Sequence, residues 1–178
     1  RYWVVFLLAG ACVLLGGKPS ADADGKTVIR YATLAPSGST FGKVLKAWSR
    51  SLEKETEGRV ELRYYSGGSQ GDERDFIRKM RAGQMDAAGV TSTGLGIIVR
   101  PVLVLSSPGL IETYDQLERV REKMTPRFDE MFREAGFELL AWADAGKGRL
   151  MSTMPILRPS DLKKARPWVW KDDPIFAE

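Results

Sequence analysis

The stretch VIRYATLAPSGSTFGKVLKAWSRSLEKETEGRVELRYY, residues 28–65, decides the fold of this chain. Its first seven residues are β-rich and end at a turn cluster over 35–38. Ser39 or Thr40 can then cap a helix, and Gly58 stands where a helix-terminal glycine belongs. A second β-rich run over 60–65 completes a strand–helix–strand unit. The apolar residues of this helix fall on one face at helical spacing: Phe41, Val44, Leu45, Trp48 and Leu52.

The alternation of strand and helix continues beyond this unit. Asp72 is expected to open a second helix, and the small-residue run over 85–90 predicts a third strand. A short apolar helix or turn before Pro101 should follow. Such alternation predicts an α/β domain with a mostly parallel sheet and helices on both faces. The residues expected to be buried on the second helix are Phe76, Ile77 and Met80.

The second half of the chain has one long helical segment. The pattern predicts a helix over 114–135, which Pro126 should kink or divide. Further strands are predicted over 137–142 and 149–153. A short capped helix near Ser160 should then lead into an aromatic-rich extended segment.

Composition excludes several classes of protein. The 178 residues carry a net charge of only +4, spread along the chain, so nucleic acid is not an expected partner. The sequence has no histidine and one cysteine, Cys12, which removes the commonest general base and rules out an internal disulfide or thiolate metal cluster. No glycine cluster is followed by the Lys-Ser/Thr of a phosphate loop. These features lower the expectation of catalysis, although hydrolytic enzymes without histidine exist, and no cofactor is expected.

The first residues resemble an export signal. An apolar run over 2–15 follows Arg1 and precedes the small residues Ala21 and Ala23, which is the layout of a secretory signal peptide over 1–23. Lipidation of Cys12 and a permanent membrane anchor are the alternatives. All three place the remaining chain outside the cytoplasm, and the periplasm is the expected compartment.

Ligands of parallel α/β sheets bind at the carboxyl ends of the strands. Those ends are predicted near residues 34–37, 66–72, 90–93 and 142–149. Trp168 is added from the aromatic-rich segment after the short capped helix. Arg166, which by position alone is expected on a solvated helix face, is added only because of the family resemblance that follows. The candidate ligand-binding residues are therefore Ser37, Asp72, Thr91, Ser92, Trp142, Arg149, Arg166 and Trp168.

Most of these candidates also have a structural alternative. Thr91 and Ser92 can donate hydroxyl hydrogen bonds to a ligand or cap the next helix. Asp72 with Glu73 can form a carboxylate pair or complement the dipole of a helix. Arg149 can bind a carboxylate in a bidentate way or stand exposed on a hairpin. Trp142 and Trp168 can line a pocket or pack in a core.

Several segments together resemble the DctP-type family of solute-binding subunits of tripartite ATP-independent periplasmic (TRAP) transporters. The resemblance covers about residues 28–170. It is strongest where short motifs occur in the family's order, over 31–36, 52–62, 67–73, 80–87, 139–142 and 158–163. Their sequences are YATLAP, LEKETEGRVEL, GGSQGDE, MRAGQMDA, LLAW and RPSDLK.

The resemblance implies a periplasmic-binding-protein-like (type II) two-lobe α/β fold that closes on a small solute. It also implies delivery of the solute to integral membrane transporter subunits and no catalysis. Such proteins are about twice as long as this chain. The expected organisation is a signal peptide over 1–23, an N-terminal α/β lobe over 24–150 and the truncated start of a second lobe over 151–178.

One position departs from the family pattern. Family members follow the Asp-Leu-Lys helix with a strand whose arginine pairs with the solute's carboxylate, and Trp168 stands in that place. Arg166 lies two residues earlier, and Arg149 is near the place of a second family arginine. An indole offers area and one N–H but no charge. We therefore expect a solute other than a simple carboxylate, neutral or more apolar, stacked on Trp168.

Two other classes of function remain open from the sequence. The same lobe architecture can serve as an extracytoplasmic ligand-sensing domain of a signalling protein. An exported enzyme would need a catalytic constellation that these residues do not supply.

Overall fold

The computed structural model describes residues 25–144, 146 and 151–166. The predicted signal peptide therefore lies outside the described residues. The helices and strands follow one another as β1 (Thr27–Thr33), α1 (Thr40–Glu55), β2 (Val60–Tyr65), α2 (Glu73–Arg81), β3 (Ala87–Gly89), α3 (Ser92–Ile98), a 3-10 helix (Arg100–Ser106), α4 (Tyr114–Glu134) and a second 3-10 helix (Pro159–Lys164).

The three strands form one parallel sheet in the order β2-β1-β3. The chain thus runs from β1 to β2 on one side and then passes back over β1 to β3 on the other side. Right-handed crossovers in opposite directions place α1 and α2 on opposite faces of the sheet. Adjacent residues of β1 agree with this, because Tyr31 stacks edge-on against Trp48 of α1 whereas Ala32 packs with Phe76 of α2. The predicted parallel α/β architecture is confirmed.

The apolar face of α1 is only partly buried. Ser39 caps the helix as expected, and its hydroxyl accepts a hydrogen bond from Gly42 N–H at 3.1 Å. Leu45 is buried, but Phe41, Val44 and Trp48 are 37%, 60% and 42% exposed. Within the described part of the chain, α1 contacts the sheet mainly through β2. The part of its apolar face that carries Phe41, Val44 and Trp48 is therefore exposed to solvent in the described structure.

The core divides into two clusters. The first fills the space between α2 and the sheet and is built on Ala32, Phe76 and Met85. The second joins α4 to the segment after α3 and is built on Val99, Val102, Phe128 and Phe132. On α2 the predicted burial of Phe76 and Ile77 is confirmed, and Met80 is half-buried against the first cluster.

Pro126 does not divide α4, which runs unbroken over 21 residues. Proline removes one helical N–H and leaves the carbonyl four residues earlier without its partner. Both Pro126 and Glu122 are exposed, so water can reach the freed carbonyl. The helix begins with a capping box between Thr113 and Gln116. No helix among the described residues is both long and apolar enough to cross a membrane.

Two strand predictions differ from the structure. Residues 137–142 are not a strand, and they run along the second cluster with Phe137, Leu139 and Trp142 packed against it. Their backbone has no pairing partner in the described sheet. The strand predicted over 149–153 is not found at 151–153, and its first two residues lie outside the described ranges. The short capped helix is confirmed as the 3-10 helix Pro159–Lys164, with Asp161 accepting from Leu157 N–H and Arg158 N–H.

Candidate functional site

The carboxyl ends of β1, β2 and β3 meet at one edge of the sheet because all three strands run in parallel. The loops after β1 and β2 are joined directly. Gly67 N–H donates to Ala35 C=O at 3.0 Å, and Gly68 N–H donates to Thr33 C=O at 3.2 Å. We call this edge, with the three loops 34–39, 66–72 and 90–93, the strand-end edge.

The loop after β1 is held close to the start of α1. The Ser39 hydroxyl donates to Pro36 C=O at 2.6 Å, and Gly42 leaves no room for a Cβ because the carbonyl oxygens of Pro36 and Ser37 lie against it. Ser37 itself is exposed on this loop. Its side chain is therefore open to solvent at the strand-end edge.

Asp72 and Asp75 form the reciprocal cap of α2. Asp72 Oδ1 accepts from Asp75 N–H at 3.0 Å, and Asp72 N–H donates to Asp75 Oδ2 at 3.3 Å. The pKa of Asp75 lies below its ordinary value, first because Arg78 donates a hydrogen bond to it and then because of the Asp72 N–H. Asp72 thus has the helix-capping role expected of an acidic residue at this position, while remaining exposed at the edge.

Glu73, considered from the sequence only together with Asp72, makes contacts that the sequence did not predict. It is 6% exposed, and its carboxylate reaches the loop after β3. Oε1 accepts from Thr91 N–H at 2.6 Å, while Oε2 accepts from Thr91 Oγ1 at 2.9 Å and from Gly94 N–H at 2.7 Å. These contacts join residues 18 and 21 positions apart, so local sequence carried no signal beyond an acidic residue in the first turn of a helix.

Thr91 and Ser92 lie where α3 begins. Thr91 is the N-cap, and its hydroxyl accepts from Thr93 N–H at 3.3 Å while donating to Glu73. The capping alternative therefore describes Thr91. Ser92 is the first residue of α3 and is half-buried. Glu73, the residue after Asp72, thus ties the start of α3 to the start of α2.

Trp142 packs against the second core cluster. Its indole N–H donates to Thr125 Oγ1 at 3.0 Å, and its ring meets Phe128 edge-on with centroids 6.0 Å apart. The Arg121 guanidinium lies over the ring at 5.4 Å and pairs with Asp144 at 2.5 Å. These contacts match the core-packing alternative for Trp142. A role in ligand binding stays a prediction.

The remaining candidates are the basic and aromatic residues of the C-terminal part. Arg166 is exposed just after the second 3-10 helix. Arg149 and Trp168 lie outside the described residues. Among the described residues, no group of three or more His, Cys, Asp or Glu side chains could hold a metal ion.

The fold and the strand-end edge define a class of protein. A doubly wound parallel sheet whose loops gather hydroxyl, carboxylate and backbone groups at the carboxyl edge is an architecture that binds small ligands. Comparison with known families makes the class specific. Residues 31–166 match the DctP model, bacterial extracellular solute-binding protein family 7. The chain belongs to this family.

The curated relatives agree with the family. A solute-binding protein of Chromohalobacter salexigens is 30% identical over 140 residues, covering 78% of this chain and 42% of the relative. A solute-binding protein of Sulfitobacter sp. is 22% identical over 147 residues, covering 81% of this chain and 44% of the relative. The chain therefore spans less than half the length of these relatives.

Solved structures show the same fold. A TRAP periplasmic solute-binding protein of C. salexigens with bound D-glucuronate matches 60% of this chain and 36% of its own at 30% identity, with a TM-score of 0.54. A TRAP periplasmic solute-binding protein of Citrobacter koseri matches 76% of this chain and 46% of its own at 22% identity, with a TM-score of 0.69. The predicted periplasmic-binding-protein-like fold is confirmed for the part of the chain that these structures cover.

Proposed function

We propose that this chain forms the N-terminal lobe, residues 24–150, and the beginning of the second lobe of a TRAP-type solute-binding protein. The protein captures a small solute outside the cytoplasm and delivers it to integral membrane transporter subunits. The observation that carries the proposal is the family match over 31–166. The proposal assigns no catalysis to these residues.

The solute site of this lobe is the strand-end edge. Ser37, Asp72, Thr91 and Ser92 are the residues of this edge proposed to face the solute. We place three further residues in the chain that leads into the second lobe and expect them to approach the solute from there: Arg149, Arg166 and Trp168. Trp142 precedes them in the chain and is proposed to approach the solute as well. The parallel sheet supports this placement because it gathers the first four residues on one side of the lobe.

The solute class is a sugar-sized polar molecule. The C. salexigens relative holds D-glucuronate, an acid sugar. Trp168 stands where the family arginine would pair with an acid group, so we propose that this protein gains less from a carboxylate than that relative does. Hydroxyl-rich neutral sugars stacked on Trp168 are the alternative solutes to compare.

Calorimetric titration of the complete protein with D-glucuronate and with D-glucose tests the proposal. The two sugars share a ring and differ in the carboxylate at C6. Binding of either at micromolar concentration supports solute capture, and a preference for glucose supports the proposed role of Trp168. Other acid sugars and neutral aromatic solutes are titrated in the same way. The proposed function would be overturned if neither sugar and none of these solutes binds.

The family match favours transport over a ligand-sensing domain, because the relatives and structures described above are named as solute-binding proteins. Reconstitution distinguishes the two. A transport protein must support uptake of its solute into vesicles that contain the membrane subunits, whereas a sensor would bind the solute without supporting uptake.

A further inference from the structure

Glu73 lies behind the strand-end edge and is 6% exposed. Its carboxylate meets three donors, two of them backbone N–H groups. Buried carboxylates persist where hydrogen bonds replace water. Here the three donors all belong to Thr91 and Gly94, the residues that start α3.

The arrangement requires a carboxylate rather than an amide. One backbone N–H points at each oxygen: Thr91 N–H at Oε1 and Gly94 N–H at Oε2. A glutamine has one oxygen and one NH₂ group, so either orientation of its amide faces a donor toward one of these N–H groups. Glu73 is therefore specified by chemistry as well as by shape.

The same contacts fix what the Thr91 side chain can offer. Its proton goes to Glu73 Oε2, and one lone pair receives Thr93 N–H. A hydroxyl has one proton and two lone pairs, so Thr91 retains only an acceptor lone pair for anything at the edge. The backbone is also tightly constrained. A Cβ at Gly94 would stand 2.6 Å from Val90 Cβ and 2.8 Å from Glu73 Oε2.

We propose that Glu73 is a positioning residue for the solute site. It does not touch the solute, and it sets the position of the turn over 91–94 and the direction of the Thr91 hydroxyl. Thr91 then accepts a hydrogen bond from a solute hydroxyl instead of donating one. This inference rests on the proposed function, since it concerns the same strand-end edge.

The test compares Glu73→Gln with Asp86→Asn in the complete protein. Asp86 is a hydrogen-bonded carboxylate of the same sheet, but it precedes β3 and lies at the opposite end of that strand from Thr91. We expect Glu73→Gln to weaken binding of D-glucuronate or D-glucose about tenfold, the scale of one lost hydrogen bond. Asp86→Asn should lower the Tm without changing the affinity. Equal affinity of Glu73→Gln and the wild type would overturn the positioning role.

A double-mutant cycle separates positioning from a general loss of stability. If Glu73 acts through the Thr91 hydroxyl, the losses of affinity caused by Thr91→Val and by Glu73→Gln should not multiply. The double variant should then bind about as weakly as Thr91→Val alone. A purely structural role predicts that the two losses multiply, and that result would count against the proposal.

Amide hydrogen exchange on the wild type covers the case in which Glu73→Gln does not fold. Saturating D-glucuronate or D-glucose should slow exchange at the Thr91 and Gly94 amides more than at the Asp86 amide. Unchanged exchange at both amides in a protein that binds the sugar would overturn the positioning role and leave the proposed function standing. A wild type that binds no solute would defeat the proposed function, and the positioning role with it.

Discussion

Arg30 and Asp86 form a bidentate ion pair that ties the middle of β1 to the start of β3. Arg30 Nε donates to Asp86 Oδ2 at 2.8 Å and Nη2 donates to Oδ1 at 2.9 Å, while Arg30 N–H also reaches Oδ2 at 2.7 Å. The same guanidinium donates to Gly83 C=O at 2.9 Å. One side chain thereby connects the centre of the sheet to the end of α2 and the strand that follows.

The Arg30–Asp86 pair predicts a pH dependence of stability. Hydrogen bonding by Arg30 lowers the pKa of Asp86, although partial burial opposes the shift. A lowered folded pKa gives stability that is complete above the ordinary aspartate pKa of about 4 and is lost as the pH falls toward the folded value. The free energy of unfolding of the wild type should therefore drop more steeply below about pH 4 than that of Asp86→Asn.

At neutral pH, Asp86→Asn should cost about 1–2 kcal/mol in the free energy of unfolding, because it removes charge-assisted hydrogen bonds from a partly buried group. Glu138→Gln is the matched control. Its pair with Arg133 is more than half exposed on both sides and should be worth much less. Urea denaturation measures both, and equal costs would contradict the role given to Asp86.

Gly42→Ala should destabilise the protein even though alanine is the better helix former. A Cβ at this position would press on the carbonyl oxygens of Pro36 and Ser37, and backbone cannot move aside as a flexible side chain can. The expected cost is about 1–3 kcal/mol, with displacement of the loop after β1. Gly38→Ala is the control in the same loop, since no atom lies within 4 Å of its Cβ position. Thermal unfolding that ranks the two variants in the opposite order would refute this.

Phe132→Ala should remove a central side chain of the second cluster. Phe132 is 2% exposed and belongs to a group with Val99, Val102 and Phe128. The expected loss in the free energy of unfolding is about 3–5 kcal/mol. Leu140→Ala, at a position that is 76% exposed, should change it by less than about 0.5 kcal/mol. Chemical denaturation of both variants measures the difference.

Trp168→Arg should change the solute preference rather than the overall ability to bind. An arginine can pair with a carboxylate through two parallel hydrogen bonds, which an indole cannot do. We expect the affinity for D-glucuronate relative to D-glucose to rise by about tenfold or more. Trp168→Phe keeps an aromatic face without the charge and should leave that ratio near the wild-type value. An unchanged ratio in Trp168→Arg would argue against an acid-binding place at this position.

The sequence predicted the parts of the fold whose signals are local. Ser39, Asp72 and Gly58 marked helix ends through capping chemistry, and the alternation of strand and helix indicated the parallel sheet. The strand predicted over 137–142 was wrong because of tertiary packing. Phe137, Leu139 and Trp142 pack against the second cluster without a pairing strand, and a short apolar run alone does not show whether a partner strand exists.

The degree to which the apolar face of α1 is covered could not be predicted, for a related reason. Helical spacing finds an apolar stripe but does not say which element covers it. Trp48 meets Tyr31 of β1 and is still 42% exposed, and Val44 is more exposed. At the candidate site, Asp72 and Thr91 could be found from their places at strand ends. The role of Glu73 could not be found in this way, because its partners Thr91 and Gly94 lie 18 and 21 residues further along the chain.

The strand order has a consequence for how the chain reaches its folded state during synthesis. β1 is made first but occupies the middle of the sheet, between β2 and β3. One edge of β1 can pair only after β2, which begins at residue 60, has left the ribosome. The other edge can pair only after β3, which begins at residue 87, has left it. Until then its amide and carbonyl groups have no strand partners, and they must be hydrated or bound by another protein. The nascent chain therefore exposes both edges of its central strand until the strands on either side have been made.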